Sequence, residues 1–244
     1  MDATTATPHR RTARLAGAAL ALASGLAIAG FTVLGSVFEY PQVLEDPTAD
    51  ILALYREHQS TVMAWFGVLV VSAALLAPAG YWLGRLVGGR LGHWITGVGV
   101  AAAAVQVIGL QRWITLVPGV SEDALDPATR AAAEHRFELL HVVLGKAIGE
   151  TVGYALTATF TILVVTALRG TLMPRWMGTL GYAAAGLIAT GILVPLFEPA
   201  SLSNFAGYVL WCAWLLAFAW VLFRVPDGAT VPVATPGRTR SGAR

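Results

Sequence analysis

Long apolar runs, separated by short polar or charged segments, fill almost the whole chain. Six of these runs are long enough to cross a bilayer, whose hydrocarbon core needs about 20 helical residues. They cover residues 15–38, 61–86, 94–117, 149–168, 177–197 and 205–223. Because polar and apolar positions do not alternate within them, the runs favour helices over a membrane β-barrel. The pattern predicts an all-α polytopic membrane protein with a bundle of six transmembrane helices.

The segments outside these runs define the domain organisation. Residues 1–14 are polar and basic and predict a disordered tail, residues 15–224 are expected to form the transmembrane domain, and residues 225–244, rich in Pro, Gly and Thr, predict a disordered C-terminal tail. The fourth run continues a helical pattern that begins at Pro127. A helix from there to residue 168 would be roughly 60 Å long. We therefore expect it to project beyond the lipid or to bend.

The distribution of charge predicts an orientation. The N-terminal tail, the turn after the second run, the turn after the fourth run and the C-terminal tail hold most of the exposed arginines, whereas the other loops are mainly acidic. Cytoplasmic loops of membrane proteins are enriched in Lys and Arg. This predicts that both termini are cytoplasmic, in a multi-pass protein of the bacterial inner (plasma) membrane whose apolar surface contacts the lipid bilayer.

The composition and the motifs that are absent exclude several classes of protein and site. Charged residues make up 12% of the 244 residues, against about a quarter in a soluble domain. Cys212 is the single cysteine, which excludes an internal disulfide or a site built from a pair of cysteines. Nucleic-acid binding is not indicated, because the arginines do not form a basic face with interleaved aromatic residues. Common catalytic and nucleotide-binding motifs are absent, and neither a metal nor another cofactor is expected. A haem or metal site built from His58, His135 and His141 is the alternative to that expectation.

Charged residues within the third and fourth runs are the main functional signal, because charge is costly in hydrocarbon. Arg112 and Glu150 are expected at matching depth on adjacent helices, as a structural ion pair or as part of a site. Arg112 can alternatively snorkel to the headgroups, and Lys146 can compete for the Glu150 carboxylate. On a straight α-helix the nine residues from His141 to Glu150 place the two side chains on opposite faces.

Four short segments carry a family resemblance. They are Phe-Glu-Tyr-Pro at 38–41, Leu-Gln-Arg-Trp at 110–113 leading to Pro118, Leu-His at 140–141, and Gly-Glu-Thr-Val-Gly-Tyr at 149–154. In this order the chain resembles, over about residues 15–224, an actinobacterial type of the integral membrane family called domain of unknown function 4386. The resemblance implies a six-helix membrane fold without an established activity. The residues at its polar or aromatic positions are the ligand-binding candidates: Arg112, Trp113, His141, Glu150 and Tyr154.

Three functions are compatible with these residues. The sequence identifies no catalytic residues and leaves open whether the protein is an enzyme. The first is an outward-facing polar pocket between the third and fourth helices that binds a lipid-like or anionic small molecule, with Arg112 on the anion, Glu150 orienting it or transferring a proton, and His141 as an acid or base. The second is a non-enzymatic subunit that docks a membrane protein partner through residues 127–143. The third is a membrane-embedded enzyme or transporter component.

Overall fold

The computed structural model describes residues 7–197 and 199–226. These residues form ten α-helices, one π-helical segment and two 3₁₀ turns, without a β-strand among them. The helices are α1 (Thr7–Val37), α2 (Thr48–Glu57), α3 (Gln59–Ala74), α4 (Leu76–Val87), α5 (Gly89–Thr115), α6 (Val117–Asp123), α7 (Arg130–Leu140), α8 (Gly153–Leu168), α9 (Arg175–Ala189) and α10 (Ala200–Phe223). The π segment (His141–Val152) joins α7 to α8, and the 3₁₀ turns are Gln42–Glu45 and Thr190–Leu193.

Six helical stretches are long and apolar enough to cross a membrane. The spans are α1, then α3 with α4, α5 with α6, α7 with the π segment and α8, α9 with its 3₁₀ turn, and α10. Each span packs against the next one along the chain, and the sixth packs against the first, so the spans form a closed ring. The predicted all-α bundle of six transmembrane helices is confirmed.

The first span begins earlier than the sequence pattern predicts. Helix α1 starts at Thr7, so it includes residues 7–14, which the sequence pattern assigns to the N-terminal tail. Polar and basic side chains at the end of a helix are compatible with a span because they lie beyond the apolar core. The remainder of the predicted N-terminal tail, residues 1–6, and most of the predicted C-terminal tail, residues 227–244, lie outside the described residues.

Glycines form the turn between the second and third spans and allow the two spans to approach closely beside it. Gly88 and Gly89, with φ of 68° and 58°, form the tight turn between α4 and α5. Just beyond this turn, a Cβ atom on Gly92 would collide with the carbonyl oxygen of Gly84, and a Cβ on Gly84 would collide with the carbonyl oxygen of Gly92. Small residues at such crossings bring helix backbones together in lipid, where packing is a main driving force for association.

We expect Gly92→Ala to destabilise the protein by about 1–3 kcal/mol, because the atom that the new methyl group meets belongs to the backbone and cannot turn aside. Gly97→Ala is the matched control, since Gly97 lies on the same helix with nothing within 4 Å of an added Cβ. Thermal unfolding in mild detergent measures both. Equal midpoints for Gly92→Ala and Gly97→Ala would show that the close crossing contributes nothing to stability.

The two ends of the bundle differ in charge. The end that carries the Gly88–Gly89 turn and residues 169–174 is called the basic end, and the end that carries α2, α6 and α7 is called the acidic end. At the acidic end, Ala133 and Phe137 of α7 are buried, and α7 packs on both α2 and α6. The predicted helical projection therefore exists, but one of its faces is already covered by the chain itself.

An aromatic cluster joins the acidic end to the spans. Trp113 lies at its centre, with ring centroids 5.0 Å from Phe66, 5.2 Å from Phe38, 5.8 Å from Phe137 and 5.9 Å from Tyr55. Trp113 is 0% exposed, so it is a core residue as well as a neighbour of Arg112. Rings at these separations stabilise a fold beyond the area that they bury. The cluster gives the adjacent polar residues a rigid wall.

Candidate functional site

The π segment changes which residues share a face of the fourth span. Its i→i+5 hydrogen bonds place more than four residues in each turn, roughly 4.4. Such turns are rare in proteins, and those that occur are often found at functional sites. The nine residues from His141 to Glu150 therefore make about two turns, and the two side chains lie on the same side. The opposite-face expectation was made for a straight α-helix and does not apply to this π-helical segment. Both residues lie within electrostatic range of Arg112.

Arg112 is a buried cation with an incomplete set of partners. Its side chain projects from α5 and is 3% exposed, so it does not snorkel to the surface. Nη1 donates a hydrogen bond to the carbonyl oxygen of Gly109, whereas Nη2 is buried and has no hydrogen-bond partner within residues 7–197 and 199–226. The guanidinium carbon lies 5.2 Å from the centroid of the Trp113 ring. A Cβ on Gly145 would come within 2.7 Å of Nη2, so the glycine provides the space that the guanidinium occupies.

Glu150 lies near Arg112 but not in contact with it. It is only partly exposed, and its carboxylate lies within electrostatic range of Arg112 and Lys146. Of the ion pairs within 4.0 Å in the described part of the chain, none joins Glu150 to either cation. The direct Arg112–Glu150 pair suggested by the sequence is therefore not formed. The two opposite charges instead flank a shared polar region.

His141 lies on the aromatic side of the same region. It is 8% exposed, and its ring stacks on that of Phe137 with the centroids 6.2 Å apart and an interplanar angle of 3°. Neither Nδ1 nor Nε2 has a hydrogen-bond partner among the described residues. Buried polar nitrogens are normally satisfied, so an unpartnered pair requires an explanation. The indole Nε1 of Trp113 is a third buried nitrogen without a partner in this part of the chain.

Tyr40 completes the polar region from the loop after the first span. Its pKa is raised to about 12, chiefly because of burial; the Glu150 carboxylate adds to the rise and the Arg112 cation opposes it. The phenol therefore keeps its proton at neutral pH. Sequence reasoning did not select Tyr40 as a site residue, although Tyr40 lies in the first segment of the family resemblance. That segment was the available signal.

Tyr154 connects this region to polar side chains deeper in the bundle. It lies within electrostatic range of Glu150 and Tyr40, and its ring centroid is 5.7 Å from that of Tyr208. Tyr208 also lies near Thr157, which accepts a 2.8 Å hydrogen bond from Nε2 of Gln106. These contacts join three spans. Tyr208 and Thr157 were not predicted as site neighbours, because their proximity depends on the packing of the sixth span.

The region combines a buried cation with hydrogen-bond donors. Arg112 supplies unsatisfied N–H groups, His141 supplies an N–H and a second ring nitrogen, and Tyr40 supplies a protonated phenol. Within residues 7–197 and 199–226, no group of three or more His, Cys, Asp or Glu side chains is placed to hold a metal ion. A donor-rich set around one guanidinium is suited to the oxygens of a carboxylate or a phosphate.

Tyr55 supports this site from α2 and gives a pH-dependent prediction. It is 0% exposed, its hydroxyl donates a 2.9 Å hydrogen bond to the carbonyl oxygen of Trp113, and burial raises its pKa from 10.0 to about 12. The folded state thus favours the protonated phenol. The associated stability is fully present below pH 10 and is lost as the pH rises toward 12. We expect Tyr55→Phe to cost about 1 kcal/mol near neutral pH.

The measurement is the unfolding midpoint as a function of pH between 8 and 12 for the parent and for Tyr55→Phe. The difference between the two proteins should shrink across the upper part of this range as the parent loses the contribution of Tyr55. A constant difference at every pH would contradict the assignment of this phenol as a buried, titrating donor.

Similarity to known proteins agrees with the architecture. The family model described as domain of unknown function (DUF4386) matches residues 15–219, a region that contains every candidate site residue and most of the six spans. No curated protein and no solved structure matches the chain. The suspected resemblance is therefore confirmed by a match over most of the chain: this multi-pass membrane protein belongs to the DUF4386 family.

Proposed function

We propose that this protein binds an anionic, lipid-like small molecule in a polar pocket at the acidic end of the bundle, between the third and fourth spans. The observation that carries the proposal is the buried Arg112 guanidinium, whose Nη2 has no hydrogen-bond partner and which has no carboxylate within 4.0 Å among residues 7–197 and 199–226. A buried, uncompensated charge is costly. An anionic ligand supplies the compensation that these residues do not.

The neighbours of Arg112 assign roles within this site. The guanidinium binds a carboxylate or phosphate through its paired N–H groups, while His141 and Tyr40 donate to the remaining oxygens. Glu150 disfavours a second negative charge on its side and accepts a hydrogen bond from a hydroxyl or amine of the ligand. Tyr154, between Glu150 and Tyr208, marks the direction in which the ligand extends into the bundle.

The lipid-like character of the ligand follows from the surroundings of the site. The π segment carries exposed apolar side chains, with Val142 53% and Val152 43% exposed, and it belongs to a stretch long and apolar enough to cross a membrane. An acyl or isoprenoid tail next to this surface is removed from water together with the protein. A small inorganic anion lacks that contribution.

The orientation of the protein is part of the same proposal. Because most exposed arginines of the described residues lie at the basic end, we place that end and both termini in the cytoplasm and the acidic end outside. In a bacterium the host membrane is the inner membrane, and the pocket opens outward. Modification of single cysteines introduced at the two ends with a membrane-impermeant maleimide in intact cells tests the orientation.

His141→Phe tests the site without removing its aromatic packing. The phenyl ring keeps the stack on Phe137 but lacks both ring nitrogens, so we expect dodecyl phosphate to bind about fivefold more weakly, the equivalent of one hydrogen bond, at unchanged stability. His135→Phe is the control, because His135 is exposed on the preceding helix, 3.8 Å from Glu138. Equal affinities in both variants would remove His141 from the site.

A docking role for residues 127–143 receives less support. The apolar residues Ala133 and Phe137 of this stretch are already buried against the chain. Its exposed apolar side chains Leu139, Val142 and Val143 lie where the stretch continues into the fourth span, so lipid is their expected contact. We therefore favour the small-molecule site as the function to test.

A further inference from the structure

A groove lies at the basic end of the bundle, the end opposite to the one that contains Arg112. Its volume is about 380 Å³. The turn between the fourth and fifth spans contributes Thr171 and Leu172, and the end of the sixth span contributes Trp220, Val221, Arg224 and Val225. Most of these side chains are apolar, and Arg224 is the charged group at the rim. The groove is thus amphipathic and lies at the end of a membrane span.

Arg224 is held in place at the rim by an aromatic ring. Its guanidinium carbon lies 4.2 Å from the centroid of the Trp220 ring, and both side chains are exposed. Such a cation–π contact fixes the guanidinium while leaving its N–H groups available. In the described part of the chain, the Arg224 side chain makes no hydrogen bond and no ion pair. This positioned cation therefore has no anionic partner among residues 7–197 and 199–226.

The described residues place no carboxylate at the end of the bundle that carries Arg224. Among them, every carboxylate outside the Arg112 site lies at the acidic end, in α2, α6, α7 or the segments that flank these helices. The described charged residues of the basic end are all cations, namely Arg10, Arg11, Arg14, Arg85, Arg90, Arg169, Arg175 and Arg224. Anionic lipid headgroups are attracted to such a surface. The groove beside Arg224 adds a place for an acyl chain.

We infer that this groove binds one phospholipid with a net anionic headgroup. The Arg224 guanidinium holds the phosphate, and the apolar side chains Leu172 and Val221 contact the first part of an acyl chain. Trp220 fixes the guanidinium and lies at headgroup level, as interfacial tryptophans do. The site is separate from the pocket at Arg112 and depends on none of its residues.

The test is native mass spectrometry of the full chain in mild detergent, titrated with phosphatidylglycerol. Wild-type protein is expected to bind the first lipid at least fivefold more tightly than Arg224→Ala. Phosphatidylcholine, which carries no net charge, should show no such difference. Wild type and Arg224→Ala both contain the Arg112 site unchanged, so the difference between them reports the groove alone, and failure of this inference is distinguishable from failure of the proposed function.

Arg85→Ala is the matched control. Arg85 lies at the same end and also packs on an aromatic ring, 5.9 Å from the centroid of Tyr81, but it lies outside the groove. Its removal should leave the binding of the first lipid unchanged. Equal losses in Arg85→Ala and Arg224→Ala would indicate attraction to the whole basic surface and would overturn the inference, as would no loss in Arg224→Ala.

A second variant tests the groove without changing charge. Leu172→Trp fills part of the space and is expected to weaken the first phosphatidylglycerol by at least threefold. The unfolding midpoint of the variant reports whether it remains folded. A folded Leu172→Trp protein that binds phosphatidylglycerol like the wild type would show that the groove does not receive the lipid and would likewise overturn the inference.

Discussion

Replacing Arg112 by methionine should weaken dodecyl phosphate binding by about 30-fold or more, the equivalent of at least 2 kcal/mol for the loss of a buried charge partner. The unfolding midpoint of the free protein should stay the same or rise. Methionine is apolar and of similar length, so it fills much of the same space without a buried charge. Among the described residues, the guanidinium has only the Gly109 carbonyl as a hydrogen-bond partner.

Arg56→Met is the matched control for this prediction. Arg56 donates a 3.0 Å hydrogen bond to the carbonyl oxygen of Ser121 and thereby joins α2 to α6 at the acidic end. Its loss should lower stability and leave binding unchanged, which is the opposite pattern. If Arg112→Met lowered stability and preserved binding, Arg112 would be a structural residue. Calorimetric titration and thermal unfolding of the same samples give both quantities.

Replacing Gly109 by leucine should disrupt the site and the fold together. A Cβ on Gly109 would lie 2.8 Å from Cα of Gly149 and 3.1 Å from the carbonyl oxygen of Leu144. Because these are backbone atoms, the third and fourth spans must separate. We expect a loss of about 3 kcal/mol or more in stability and at least tenfold weaker binding, since Arg112 and Glu150 are held on the two sides of this crossing.

Gly97→Leu is the control for that prediction, because Gly97 lies on the same helix and has nothing within 4 Å of an added Cβ. It should unfold and bind like the wild type. If Gly109→Leu unfolded at the wild-type temperature, the close approach of the two spans would not be a feature of the protein in its membrane. Unfolding midpoints and dodecyl phosphate isotherms, measured side by side, decide this.

The spans were predictable because hydrocarbon imposes a length and an apolar composition on any helix that crosses it. The predicted sixth run, residues 205–223, ends where α10 ends, although α10 begins at Ala200. The ends are harder to predict than the spans, since a helix continues into polar sequence without a change of hydropathy. Residues 7–14 of α1 are an example.

The face of the fourth span could not be predicted. A change from i→i+4 to i→i+5 hydrogen bonding leaves no mark in composition, and yet it rotates every later side chain. The periodicity argument that separated His141 from Glu150 was sound for an α-helix and fails for the π segment. Only the backbone of the folded chain reveals that the two residues share a side.

The sequence also did not predict which aromatic residues are buried. A tryptophan near the end of a span is typical of the lipid interface, and the same residue fits a packed core, because both environments are apolar. Trp113 lies in the core, whereas Trp220 is exposed. Arg112 was recognisable from its charge alone. Its missing partner depends on the distance to Glu150, which sequence spacing does not determine.

The most direct test of the anion site is calorimetric titration of dodecyl phosphate into the Arg224→Ala protein in phosphatidylcholine nanodiscs, a background in which the groove at the basic end lacks its cation. Dodecyltrimethylammonium is the probe of opposite charge. We predict saturable binding of one dodecyl phosphate per chain, no saturable binding of the ammonium amphiphile, and loss of the phosphate site on adding Arg112→Met. Equal binding of both amphiphiles, or a phosphate isotherm unchanged by Arg112→Met, would contradict the account.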